Sequence, residues 1–146
     1  MGILGTQADV IFDVNLIIQT LLIAVLLVGY YSMKPRRLLK RHGVIMATGT
    51  IINLAAVLSI MLPSLILNWN AVASDPTHPG VLITIVHVAF GTIAILVASR
   101  FSLRFLRSMQ RNTPLMCGTR RSMYTTLASW LISMGLGYGF YIFYYL

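Results

Sequence analysis

Residues 81–100 read VLITIVHVAFGTIAILVASR, nineteen uncharged and mostly apolar residues closed by an arginine. A helix needs about 20 apolar residues to cross the hydrocarbon core of a bilayer, whereas a barrel strand needs only about ten. Three further segments have the same character, at residues 10–31, 43–67 and 123–146. Because hydrocarbon satisfies no backbone polar group, we expect these three segments and residues 80–99 to be membrane helices.

The composition of the whole chain agrees with this expectation. Hydrophobic residues make up 58% of the 146 residues and charged residues only 10%, whereas about 25% of the residues in a soluble domain are charged. The polar connections are short, so consecutive helices should be antiparallel neighbours. The sequence predicts an all-α integral membrane protein, a single domain over residues 1–146 that forms an up-down bundle of four transmembrane helices.

All basic residues lie in or beside two of the connections. The first holds Lys34, Arg36, Arg37, Lys40 and Arg41, and the third holds Arg100, Arg104, Arg107, Arg111, Arg120 and Arg121. The positive-inside rule predicts that both connections are cytoplasmic and that both termini lie on the outer side of the cell membrane. A net charge of +8 is also typical of nucleic-acid binding. Since topology accounts for every basic residue, we expect no nucleic-acid partner.

Four of these residues, Arg100, Arg104, Arg107 and Arg111, form what we call the arginine row. Their spacing of four, three and four residues places them on one face of a helix. We expect the third membrane helix to continue as an amphipathic cytoplasmic segment to about residue 111, because Pro114 disfavours helix at the residue before it. The arginine row is suited to anionic lipid, at roughly 1 kcal/mol per arginine, or to an acidic partner.

Several polar residues share a depth in the outer half of the predicted bundle. Asn15 and Gln19 face the same way on the first helix, at about the depth of His87 on the third. One interpretation is that this intramembrane cluster joins the helices by hydrogen bonds. The other is that Asp13, His78 and His87 bind copper or a similar ion, since ionisable groups are rare in membranes and imidazole and carboxylate suit such metals.

His42 begins the second helix at the cytoplasmic side, roughly 20 Å in depth from His87. The two histidines therefore cannot be the axial ligands of one haem. Met46 follows His42 by one helical turn and points the same way, so it cannot supply the opposite ligand. We expect no resident cofactor, with copper or haem as the alternative.

The fourth helix contains a Gly-xxx-Gly pair, Gly135 and Gly139. Such a pair lets another helix approach closely in lipid, where apolar surface alone gives no driving force for association. The helix that uses this pair belongs either to the same chain or to a partner.

Motifs of hydrolases, nucleotide-binding proteins and zinc peptidases do not occur in the sequence. Only three acidic residues are present, and none lies on the predicted cytoplasmic side, so general acid–base chemistry has few groups to use there. The single cysteine, Cys117, implies neither a disulfide nor a CxxC metal site. We expect that the protein is not an enzyme.

Three stretches carry a family resemblance: KRHGVIMATGTIINL at 40–54, HVAFGTIAIL at 87–96 and RRSMYTTLASWLISMGLGYGFY at 120–141. They resemble a small four-helix membrane family of unknown domain function that includes the haem-copper oxidase assembly factor CtaM. The resemblance implies an accessory role in assembling or accompanying a respiratory oxidase, with His42, Met46 and His87 at positions of family motifs.

From these observations we expect a non-catalytic accessory or assembly subunit of a larger respiratory or other metalloenzyme complex in the membrane. Its partners would be other integral membrane subunits and anionic lipids. The alternative is a haem- or copper-binding membrane protein with its site in the outer half of the bundle.

Overall fold

The computed structural model describes residues 2–33, 38–115 and 119–146. Lys34, Arg36 and Arg37 of the first basic connection lie outside these ranges, and so does Cys117.

Helices make up nearly all of the described chain: α1 Val10–Met33, α2 Leu39–Leu67, α3 Trp69–Ser74, α4 Pro79–Gln110 and α5 Arg120–Tyr145. All except the short α3 are long and apolar enough to cross a membrane. No strand occurs within the described ranges. The prediction of an all-helical protein with four helices long and apolar enough to span a membrane is therefore confirmed, while the side of the membrane that each terminus faces stays a prediction.

Two helices begin earlier than the apolar pattern predicts. α2 begins at Leu39 rather than at residue 43, and α5 begins at Arg120 rather than at residue 123. Thr119 caps α5, because its hydroxyl accepts a hydrogen bond of 3.3 Å from the backbone N–H of Ser122. Hydropathy marks the lipid-facing part of a helix and misses polar turns of this kind.

α4 continues without a break from its apolar part into the arginine row and ends at Gln110. It ends there because Asn112 adopts a left-handed conformation with φ of 49°, a common way for a helix to terminate. On the side opposite the arginines, Phe105 is 2% exposed, and its ring covers Gly43 of α2. The extension is thus an amphipathic helix whose apolar side packs against α2.

The middle of α2 is irregular, with a π-helical stretch at Val57–Met61 just before Pro63. Proline has no N–H to donate, and its ring would overlap the carbonyl of Ser59 in a regular α-helix. The extra residue of a π-turn relieves this conflict, so α2 crosses the predicted span despite its proline.

The four long helices form an antiparallel ring in the order α1, α2, α4, α5. α4 and α5 pack together most extensively, followed by α1 with α2 and α2 with α4, while α1 and α5 are the neighbouring pair whose backbones pack least. Helices α2 and α5 are therefore a diagonal pair. We call the end of the bundle at which both termini lie the terminal end, and the end that carries the basic connections the basic end.

The interior of the ring is unusually polar for a helical bundle, and its exterior is apolar. A core cluster of Leu22, Leu26, Ala94, Ala98, Trp130 and Met134 lies at mid-depth. Buried polar side chains include Asp13 and His42, near the two ends, and Asn53 and Ser133, near the middle of α2 and α5. Large aliphatic side chains instead face outward on every long helix. Small and polar residues between helices with aliphatic residues outside are typical of a membrane bundle.

Candidate functional sites

At the terminal end the Asp13 carboxylate is fully buried, with 0% of the residue exposed. The backbone N–H of Leu4 donates to it at 2.8 Å, the Thr6 hydroxyl at 3.4 Å, and the Tyr141 hydroxyl at close range. The hydroxyl oxygens of Thr6 and Tyr141 are themselves 2.8 Å apart. The segment before α1 therefore folds over the bundle, and a carboxylate held by backbone and hydroxyl donors ties α1 to α5.

Further contacts close the same end between α1 and α5. The backbone N–H of Gln7 donates to the carbonyl of Tyr145 at 3.2 Å. The hydroxyls of Thr20 and Tyr138 share a hydrogen bond, and the rings of Phe12 and Tyr145 stack with centroids 5.7 Å apart. Side-chain contacts, together with one backbone hydrogen bond from the segment before α1, thus join α1 to α5, although the backbones of these two helices do not pack closely.

Between this network and the core cluster lies a cavity of about 330 Å³, which we call the terminal cavity. The predicted intramembrane cluster of Asn15, Gln19 and His87 lines it. The Gln19 amide donates to Asn53 Oδ1 of α2 at 3.2 Å, whereas Asn15 Oδ1 is buried without a partner in the described part of the chain. The three residues share a cavity, but their hydrogen bonds go to other residues.

His87 joins α4 to α5. Its Nδ1 donates to the backbone carbonyl of Ser133 at 2.7 Å, and the Ser133 hydroxyl donates back to the carbonyl of His87 at 3.0 Å. Glycines allow this approach, because a Cβ on Gly137 would lie 3.1 Å from the His87 ring and one on Gly91 would lie 3.0 Å from Ser133 Oγ. The arrangement is that of an interhelical link.

His78 caps α4 instead of facing the bundle interior. Its Nδ1 accepts a hydrogen bond of 3.2 Å from the backbone N–H of Gly80. Asp13, His78 and His87 therefore each bond to different partners. No group of three or more His, Cys, Asp or Glu side chains that could hold a metal ion occurs in residues 2–33, 38–115 and 119–146. The structure does not bring the three predicted ion ligands together.

The connection before α4 also carries Asp75. Thr77 donates its hydroxyl at 2.8 Å and its backbone N–H at 3.2 Å to Asp75 Oδ1. These hydrogen bonds hold the pKa of Asp75 below its usual range. The carboxylate is engaged in a local turn, apart from the buried Asp13.

At the basic end, His42 is 5% exposed and its Nδ1 donates to the carbonyl of Gly29 on α1 at 2.7 Å. Met46 packs over the same glycine, because a Cβ on Gly29 would lie 2.6 Å from the Met46 methyl carbon. His42 and Met46 both line a cavity of about 650 Å³, which we call the basic cavity. Two of the three family-motif positions thus share one cavity, and His87 lies in the other.

The Gly-xxx-Gly pair of α5 faces away from the rest of the chain. A Cβ built on Gly135 or on Gly139 meets nothing within 4 Å, and both residues are exposed. The close approach that this pair permits is therefore not used by the described helices. Other glycines, among them Gly29, Gly43 and Gly91, do lie in close contact with side chains of neighbouring helices.

All four members of the arginine row are exposed. Together they form a cationic face that follows the last turns of α4, on the side opposite Phe105. The face is continuous with the membrane part of α4, so its charges lie where lipid headgroups or a membrane-bound partner would meet them.

Sequence reasoning missed four residues of these sites: Thr6, Asn53, Ser133 and Tyr141. Asn53 was detectable, since it is an amide in an apolar span at about the depth of Gln19. Ser133 was not, because serines in membrane helices commonly bond to carbonyls of their own helix. Tyr141 belongs to a run of tyrosines typical of an aromatic belt, which conceals its buried role.

Known proteins offer no further guide to this geometry. Comparison of the chain with protein-family models, with curated proteins and with solved structures finds no match. The relationship to the four-helix family that includes CtaM stays a prediction, carried by the three stretches that resemble it.

Proposed function

We propose that this chain is a non-catalytic accessory or assembly subunit of a larger membrane enzyme complex, respiratory or otherwise metal-containing. The observation that carries the proposal is the outward orientation of Gly135 and Gly139 on α5. In lipid, helices associate through close packing at small residues. A glycine pair that the chain's own helices leave open is a surface on which a helix of another subunit fits.

The surroundings of the pair have the shape that such a contact needs. Ile132 precedes the glycines on the same face of α5, Ile142 and Phe143 follow them, and all three side chains are exposed. The glycines therefore form a notch between bulky side chains. Ridges of a neighbouring helix pack into notches of this kind.

The arginine row supplies a second contact surface at the basic end. With the basic connections in the cytoplasm and the termini outside, this row would face the cytoplasmic headgroup layer of the cell membrane. Anionic lipid or an acidic segment of the partner complements its charge. The resemblance to the family that includes CtaM supports a haem-copper oxidase or another membrane metalloenzyme as the partner.

A substitution that fills the notch with a larger side chain tests the proposal. Gly139→Leu should remove this protein from the complex with which it co-purifies in mild detergent, because the leucine fills the notch. Ala55→Leu is the matched control, since Ala55 is a small exposed residue on α2. Retention of Gly139→Leu at the stoichiometry of the wild type and of Ala55→Leu would contradict the proposal.

A further inference from the structure

The basic cavity is a feature that the proposed accessory role does not use. Its volume of about 650 Å³ is about twice that of the terminal cavity, at about 330 Å³. The cavity is partly open to the surroundings of the bundle, so a ligand can reach it from outside. The volume lies within the range of small-molecule and cofactor sites and far exceeds what a bare metal ion needs.

The orientation of His42 gives this cavity a metal-binding group. Its Nδ1 donates to the Gly29 carbonyl at 2.7 Å, and a carbonyl oxygen only accepts, so Nδ1 carries the proton. In the neutral imidazole, Nε2 then carries the lone pair. Metal-ligating histidines are held in the same way, with the other ring N–H donated to a backbone carbonyl or a carboxylate.

The walls of the basic cavity fit a flat apolar macrocycle. Phe101, Phe105 and Trp130 contribute aromatic surface. Met123, on the helix diagonal to the one that carries His42, also lines the cavity and supplies a thioether. Histidine with methionine is one of the ligand pairs that proteins use for haem iron.

A positively charged side chain, that of Arg120, lies at the edge of the same cavity. Arg120, in the first turn of α5, is exposed and lines the cavity. A guanidinium group pairs with a carboxylate through two parallel hydrogen bonds. The terminal cavity has no Lys or Arg among its lining residues, although His87 has the same Nδ1-to-carbonyl geometry there.

We propose that the basic cavity binds haem, with His42 as an axial ligand. Haem is a flat apolar ring that carries a central iron and two carboxylates. The aromatic walls, the oriented imidazole and Arg120 correspond to these three parts in turn. This site lies at the basic end, on the opposite side of the core cluster from the ion site predicted in the outer half of the bundle.

The test is a titration of haem into the full chain in lipid nanodiscs, with empty nanodiscs as the baseline for partitioning into lipid. We expect a saturable Soret band at one haem per chain. His42→Ala should weaken binding by more than the roughly 10- to 100-fold that loss of an outer-shell partner costs a metal site. His87→Ala, the same change in the terminal cavity, should leave the affinity at the wild-type value.

A second variant separates ligation from folding. Ser102→Leu, at a half-buried residue that lines the cavity, fills its space and leaves His42 in place, so it should also weaken haem binding while the protein elutes as a single species with unchanged helical content. Wild-type binding that does not exceed that of empty nanodiscs would overturn the proposal, and so would wild-type affinity in His42→Ala. Binding of copper(I) without a Soret band would also overturn it, in favour of an imidazole–thioether copper site. The titration uses the isolated chain, so its result is independent of partner binding at Gly135 and Gly139.

Discussion

The two ends of the bundle are held together by different means. At the terminal end, a buried carboxylate, several hydroxyls and the segment before α1 join α1 to α5. At the basic end, a phenyl ring covers a bare glycine, an imidazole bonds to one carbonyl, and a cavity twice as large remains. A network around a buried carboxylate thus fastens one end, while the other end has the larger cavity.

This difference follows from the hydrogen-bond donors that are available to buried groups at each end. The terminal end has an ordered extramembrane segment whose backbone N–H groups and hydroxyls satisfy Asp13, so a carboxylate is tolerated there. At the basic end, Phe105 packs on Gly43, and the polar links are neutral hydrogen bonds from His42 to the Gly29 carbonyl and from Ser102 to Thr50. We expect the stability of the bundle to depend more on the terminal end, and its capacity to bind a ligand to depend more on the basic end.

The largest expected effect is that of Asp13→Ala. The substitution removes the shared acceptor of the Leu4, Thr6 and Tyr141 donors and leaves the Thr6 and Tyr141 hydroxyls only each other as partners. We expect the midpoint of thermal unfolding in detergent to fall by roughly 10 °C. Asp9→Ala, at the exposed aspartate one helical turn earlier in the sequence, is the control. Equal midpoints for the two variants would mean that this network does not fasten the terminal end.

Gly43→Leu should have the next largest effect, because its side chain would enter the space of the Phe105 ring. Overpacking of this kind costs about 1 to 3 kcal/mol of unfolding free energy. The double variant Gly43→Leu/Phe105→Ala should recover part of the loss, since the two sites are in contact. Gly139→Leu is the matched change at an open glycine and should stay within about 0.5 kcal/mol of the wild type. Equal costs at both glycines would contradict the packing described for the basic end.

Asn53→Leu should have a smaller effect, because it removes one hydrogen bond between α1 and α2. Interhelical hydrogen bonds in membranes contribute about 0.6 kcal/mol on average and up to about 1.7 kcal/mol. A double-mutant cycle with Gln19→Leu in a reversible detergent unfolding assay measures this term. Strictly additive single-variant effects would show that Gln19 and Asn53 do not interact.

The smallest effect on stability is expected for Arg104→Gln, since Arg104 is exposed. Its unfolding free energy should change by less than about 0.5 kcal/mol. Binding of the extension of α4, as a peptide, to vesicles that contain anionic lipid should weaken by roughly 1 kcal/mol. Unchanged binding, or equal weakening on neutral vesicles, would argue against a role in recognising charge.

The spans of the four membrane helices could be predicted from the sequence because hydropathy over about 20 residues is a strong signal. The partners of the polar residues could not, because pairing depends on the rotation of each helix about its axis. Gln19 and His87 share the expected depth, yet they bond to Asn53 and Ser133. Two or three residues along a helix change the facing side completely, while depth changes by only a few ångströms.

The role of each glycine could likewise not be predicted from the sequence. Gly43 sits beneath a phenyl ring, while Gly135 and Gly139 meet open space, although the motif rule singles out only the latter pair. The sequence shows where a close approach is permitted, and the three-dimensional arrangement shows whether the chain itself uses it. Because the described helices leave Gly135 and Gly139 open, we propose that this pair contacts another protein.

The most direct test of that account is photo-crosslinking in native membranes from the outward face of α5. A photoreactive amino acid at Ile142, beside the glycine pair, should give a discrete adduct with one other membrane protein. The same group at Ile51, equally exposed on α2, should give lipid adducts alone. Lipid adducts from both positions, or an adduct from Ile142 with a second copy of this chain only, would contradict the proposed accessory role.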